Sequence, residues 1–211
     1  MHEVASIVER ICAARASAIL RVLEAEVAGP AMEAAVRGGF RVIEFTLTTP
    51  GALDRIAEFS RRADLLVGAG TVLDAVQARE AAAAGARFLV SPVMDPEIVA
   101  LAAELGVAAV PGCSTPTELL LAHRAGAPLQ KVFPEPAGGP EFVRAVLAPL
   151  PMLRLVPTNG IDASNAAAYL GAGAAAVGFT RALFAPEWLA DRAFDQIERR
   201  AGELIAAAHA G

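Results

Sequence analysis

Lysine is almost missing from this sequence. Of its 18 basic side chains, 17 are arginine, and Lys131, in "LQKVFPEPAGGP" (129–140), is the exception. Arginine stays charged at any physiological pH, whereas a lysine can lose its proton near neutrality and act as an amine nucleophile. A single lysine set in an apolar run therefore marks a place for chemistry. The bland alternative is an arginine-biased composition that spared one ordinary residue.

Other scarcities exclude whole classes. Aromatic residues make up 5% of a chain that is 55% hydrophobic, so the core is built from Ala, Val, Leu and Ile, as in helices packed closely on a sheet. The two cysteines, Cys12 and Cys113, are too few and too far apart for a disulfide framework, and with three histidines they show no metal-ligand spacing. These counts predict a reducing, cytoplasmic setting and no metal or other cofactor. A net charge of −5, with no basic stripe beyond pairs such as Arg61-Arg62 and Arg199-Arg200, argues against a nucleic-acid partner. Glu3 and Glu9 interrupt "MHEVASIVERICAARA", which reads as an amphipathic helix instead of a signal peptide. The longest uncharged stretch, 163–180, is Ala/Gly-dominated and broken by Asn165 and "GAG" at 171–173, so a helix, a turn and a strand are expected there and no membrane span.

What the chain does have is repetition of pattern. Short Val/Ile/Leu/Ala runs recur every ~20–25 residues between Ala/Glu/Arg segments of helical spacing. Eight are strand candidates: 17–22, 41–47, 64–69, 87–91, 107–111, 129–133, 154–158 and 174–179. Several follow a glycine that closes a helix ("RGGF", "AAGARF", "ELGVA", "RAGAPL", "GAGAAA"), which is the loop chemistry of a parallel sheet. Eight units of near-equal length without a linker predict an α/β fold, a (β/α)8 TIM barrel with an extra N-terminal helix, occupying 1–211 as one domain.

In such a barrel, reactive groups stand at the C-terminal ends of the strands. Those ends carry Arg21, Glu44 with Thr46, Thr71, Ser91-Pro92, the 111–118 turn, Lys131 with Phe133, Thr158-Asn159-Gly160, and Thr180-Arg181. Residues two apart share a strand face, so Glu44 goes with Thr46 and Lys131 with Phe133. A free lysine titrates near ~10.4, and burial in an apolar strand lowers that value. Its neutral amine would form a Schiff base with a ketone, and the protonated imine withdraws electrons from the adjacent carbon–carbon bond. Glu44, acidic within "VIEFTL", is the candidate proton shuttle, or else a structural partner of an arginine such as Arg21.

Six segments then carry a resemblance in order and spacing: "VIEFTLTTPGAL", "VGAGTVLDAVQARE", "FLVSP", "VPGCSTPTEL", "KVFPEPAGGPEFVRA" and "VPTNGI". Together they resemble the 2-keto-3-deoxy-6-phosphogluconate / 4-hydroxy-2-oxoglutarate aldolase family over roughly residues 18–184. The resemblance implies a class I pyruvate aldolase, a homotrimer, whose small-molecule partners are pyruvate and an aldehyde such as glyceraldehyde 3-phosphate or glyoxylate. It implies Lys131 as the Schiff-base lysine and Glu44 as the acid/base acting through a water. Thr71, Pro92 and Phe133 match residues around the pyruvyl group, and Arg21 matches an arginine that binds an acidic group of the substrate. Another branch has its arginine where Thr48 stands here.

Two departures bear on specificity. The family usually has "GG" after strand seven and "GS" after strand eight, where backbone N–H groups cradle a phosphate; here stand Asn159-Gly160, following Thr158, and Thr180-Arg181. Either the Arg181 guanidinium replaces that cradle, or the site takes a shorter or unphosphorylated partner. Cys113 reads as a packed thiol, and Thr115 with Glu118 as a helix cap. Trp188 and Phe194 read as core residues of one last helix. The rival functions are a catalytically silent barrel that binds or assembles, and a metal-dependent aldolase, which lacks its ligands.

Overall fold

Nine stretches of extended backbone appear among residues 2–210, the part of the chain that the computed structural model describes. They are β1 (Ala16–Leu20), β2 (Val42–Thr46), β3 (Leu66–Gly70), β4 (Phe88–Val90), β5 (Ala108–Val110), β6 (Gly112–Cys113), β7 (Gln130–Val132), β8 (Leu155–Pro157) and β9 (Val177–Phe179). Each overlaps one of the eight predicted runs, β1 and β3 overstepping theirs by one residue, or, for β6, lies just beyond. β5 and β6 are one strand broken at Pro111, which has no N–H to give a ladder. β5 pairs with β4, and β6 pairs with β7.

All pairings are parallel, in the orders β5-β4-β3-β2-β1-β9 and β6-β7-β8. The two sheets join through Pro111 on one side and a Thr158–Gly178 bridge on the other. The result is a closed (β/α)8 barrel, as the sequence predicts.

The surrounding helices are α2 (Ala25–Arg37), α3 (Ala52–Phe59), α4 (Ala75–Ala83), α5 (Pro96–Glu104), α6 (Pro116–Arg124), α7 (Pro140–Leu147), α8 (Ala166–Gly171), α9 (Pro186–Ala190) and α10 (Phe194–His209). Local chemistry sets their starts. Asp74 accepts from the Gln77 N–H, Asp95 from the Glu97 N–H, and Thr115 with Glu118 forms the expected capping box. The expected single last helix is two: the chain turns between α9 and α10, with Arg192 left-handed at φ 51°. Trp188 and Phe194 lie on either side of that turn, half-buried against the core.

A second core fills the barrel itself. Inward-facing Val42, Leu66, Phe88, Val110, Leu129 and Val156 pack with Ile7, Val8 and Ile11 of the N-terminal helix α1 (His2–Ala14). Helix α1 thereby closes the end of the barrel opposite the reactive strand ends. Gly68 makes room for the Phe88 ring, whose Cδ2 would lie 2.5 Å from any Cβ at that position.

Candidate active site

Strand parity turns Lys131 of β7 and Glu44 of β2 into the barrel mouth. Lys131 is 9% exposed and Glu44 is 2% exposed. Burial pushes the Lys131 ammonium below the usual lysine range; the Glu44 charge opposes this and the Arg21 charge adds to it. Burial likewise raises the Glu44 carboxyl above the usual carboxylate range, against the pull of Lys131 and Arg21. Both shifts favour the neutral forms, a free amine and a protonated carboxyl. The Phe133 ring stands with its centroid 4.7 Å from Lys131 Nζ.

Glu44 owes its position to a missing side chain. A Cβ on Gly70 would collide with Glu44 Oε1 and lie 2.7 Å from its Cδ. "VGAG" therefore needs glycine at 70 so that a carboxylate can lie across β3. The next residue, Thr71, has φ 59°, a left-handed conformation that is unusual for a β-branched side chain and typical of functional sites. Arg21 Nη2 donates to Thr71 Oγ1 at 3.1 Å, which fixes both groups at the mouth.

A chain of hydroxyls ties the end of β2 to the loop after β1. Thr46 Oγ1 lies 3.0 Å from Thr48 Oγ1 and 3.2 Å from Thr49 Oγ1, and Thr49 Oγ1 accepts from the Val22 N–H. Buried Thr158 donates to the Val156 carbonyl. Asn159 is left-handed at φ 72°.

These groups enclose a cavity of about 530 Å³, the usual size of a small-molecule site. Every site residue predicted from the sequence lines it except Gly160. Glu44, Lys131, Thr46, Thr71, Pro92 and Phe133 form one part, with Arg21, Thr158, Asn159, Thr180 and Arg181 around them. Gly160 instead lies against the Glu135 side chain. The sequence reading missed an apolar lobe made by Leu23, Val27, Phe184 and Leu189. Leu23 stands 88% exposed in the loop after β1, a position that nothing in the sequence marks. Cys113 sits outside the cavity, and burial with the nearby Glu118 charge pushes its thiol up to about 12, far from a usable nucleophile. Among the described residues, no three His, Cys, Asp or Glu side chains group as metal ligands, and no helix is long and apolar enough to cross a membrane.

An amine and a carboxylate facing one cavity at the C-terminal mouth of a (β/α)8 barrel are the equipment of a class I aldolase, an aldehyde-lyase. The chain belongs to the KDPG and KHG aldolase family, whose sequence model matches residues 7–200. It is 38% identical over 167 residues to the 2-dehydro-3-deoxy-phosphogluconate aldolase of Treponema pallidum, covering 78% of this chain and 80% of that one. It is also 38% identical over 154 residues to the KHG/KDPG aldolase of Escherichia coli K12, covering 72% of each. Among solved structures, KDPG aldolase from Legionella pneumophila, with pyruvate captured as a covalent carbinolamine intermediate, superimposes with a TM-score of 0.85 at 29% identity, covering 94% of this chain and 97% of that one.

Proposed function

We propose that Lys131 is the amine that condenses with the keto carbon of a 4-hydroxy-2-oxo acid, and that Glu44 moves the protons. The observation that carries this is the pair itself: the chain's one lysine, buried and shifted toward its neutral form, faces the same cavity as a buried carboxylate.

The Lys131 amine adds to C2, the carbinolamine loses water, and a protonated imine remains. Glu44 takes the proton of the C4 hydroxyl through a water, the C3–C4 bond breaks, and its electrons neutralise the imine as an enamine. The aldehyde leaves. Protonation at C3 regenerates the imine, and hydrolysis releases pyruvate and the free amine. Arg21, Thr71, Thr46, Pro92 and Phe133 bind the pyruvyl half. Thr158, Asn159, Thr180 and Arg181 surround the aldehyde half, with Gly160 behind them against Glu135, and glyceraldehyde 3-phosphate and glyoxylate are the two ends implied by the family.

The chain acts as one barrel domain of a cytoplasmic homotrimer in this reading. Exposed Leu73, Val76 and Val93, which follow β3 and β4 at the mouth, supply apolar surface for self-association. Light scattering at the mass of three chains is the expected result.

The test of the chemistry is incubation with pyruvate and borohydride, followed by intact mass and peptide mapping. A stable pyruvyl adduct on Lys131 is expected. No adduct, or one elsewhere, overturns the assignment.

A further inference from the structure

Glu135 and Tyr169 form a device that the mechanism above does not use. Tyr169 is fully buried, and its hydroxyl donates to Glu135 Oε1 at 2.9 Å. The other face of that carboxylate lies against Gly160: a Cβ on Gly160 would be 2.5 Å from Glu135 Cδ and 3.2 Å from its Cβ. The loop after β7, which begins two residues beyond Lys131, is thus buckled to the loop after β8. Asn165 Nδ2 donates to the Gly160 carbonyl at 2.9 Å and ties down the same backbone.

Gly160 is the one expected substrate-facing residue that does not line the cavity, while Asn159 beside it does. A phosphate at this end needs close approach of backbone N–H groups and a field of net positive sign. Glu135 works against both, because its side chain fills the Cβ side of Gly160 and sets a negative charge next to Asn159, which lines the cavity.

We infer that Glu135, positioned by Tyr169, is a specificity-determining residue that disfavours a phosphate dianion on the aldehyde half, so that the substrate's aldehyde portion is unphosphorylated. This rests on the aldolase reading and narrows it. A single charge of this kind, exposed and therefore screened, should change discrimination by about three- to tenfold, and less at high salt.

The test is aldol addition of pyruvate to glyceraldehyde and to glyceraldehyde 3-phosphate, with kcat/KM measured for each at low and high ionic strength. The wild type is expected to prefer the unphosphorylated aldehyde. Glu135→Gln is expected to move the ratio about three- to tenfold toward the phosphorylated one, most at low salt, and Tyr169→Phe to move it part of the way. A ratio unchanged in Glu135→Gln, or a wild type that prefers the phosphorylated aldehyde, overturns the inference. Borohydride trapping of pyruvate on Lys131 is run on the wild type and both variants. Loss of the adduct in the wild type rejects the aldolase reading, whereas an intact adduct with an unchanged ratio rejects only the role of Glu135.

Discussion

Alanine at position 70 would place a methyl group against Glu44, the carboxylate to which we assign proton transfer. The new Cβ would lie 2.7 Å from Glu44 Cδ and 3.1 Å from its Cγ, where carbon atoms ordinarily stand ~3.5–4.0 Å apart. Glu44 is almost wholly buried, so it cannot swing into solvent and must shift by about 1 Å within the barrel. Overpacking of this kind costs roughly 1–3 kcal/mol, which for a chain of this length lowers Tm by roughly 2–12 °C. Misplacement of a proton-transfer group by ~1 Å costs about 10² in turnover. Gly171→Ala is the matched control, since a Cβ there meets nothing within 4 Å and Gly171 ends α8 without left-handed backbone. It should be neutral or stabilising by about 0.4–1 kcal/mol. Calorimetry and coupled retro-aldol assays on both variants decide the matter. Gly70→Ala with wild-type Tm and turnover would refute the placement of Glu44 across β3.

Lys131→Ala should abolish turnover while circular dichroism stays that of the wild type; retention of most activity rejects the Schiff base. Glu44→Gln should slow turnover by roughly 10² or more, and a loss below about threefold sinks its role in proton transfer. The pH profile of pyruvate adduct formation gives a separate check. The Glu44 charge raises the Lys131 pKa, so Glu44→Gln should move the alkaline rise of adduct formation to lower pH, where more of the amine becomes neutral. A move to higher pH contradicts the coupling. Native protein at pH 8 should resist iodoacetamide at Cys113, read by peptide mass, because its thiol is buried and titrates at about 12.

The barrel was legible because its signals are local. Val/Ile/Leu runs mark strands, and the glycines expected to close helices do so with left-handed backbone, as at Gly85 (φ 106°) and Gly126 (φ 99°). Lys131 stood out as a composition anomaly and Glu44 as an acid within an apolar strand. What escaped the sequence depends on neighbours remote along the chain. The duty of Gly70 appears only once β2 lies beside β3, and the Glu135–Tyr169 link joins residues 34 positions apart. Pro111 marks the break of the fifth strand locally, but no local pattern encodes the change of pairing partner there, from β4 to β7. The apolar lobe gathers Leu23 of the loop after β1, Val27 of α2, and Phe184 and Leu189 after β9, each unremarkable alone.

Helix α1, seated with Ile7, Val8 and Ile11 on the barrel interior, closes one end of the reaction vessel and leaves its mouth as the doorway. Lys131 lies deep in it and Arg181 at the rim. Traffic through one doorway imposes an order. In the synthetic direction the ketone must reach the amine before the aldehyde fills the space above it, and in cleavage the aldehyde must depart before pyruvate can. Such a barrel is a stack in which the last molecule to enter is the first to leave, and product inhibition by pyruvate should be competitive while inhibition by the aldehyde is not.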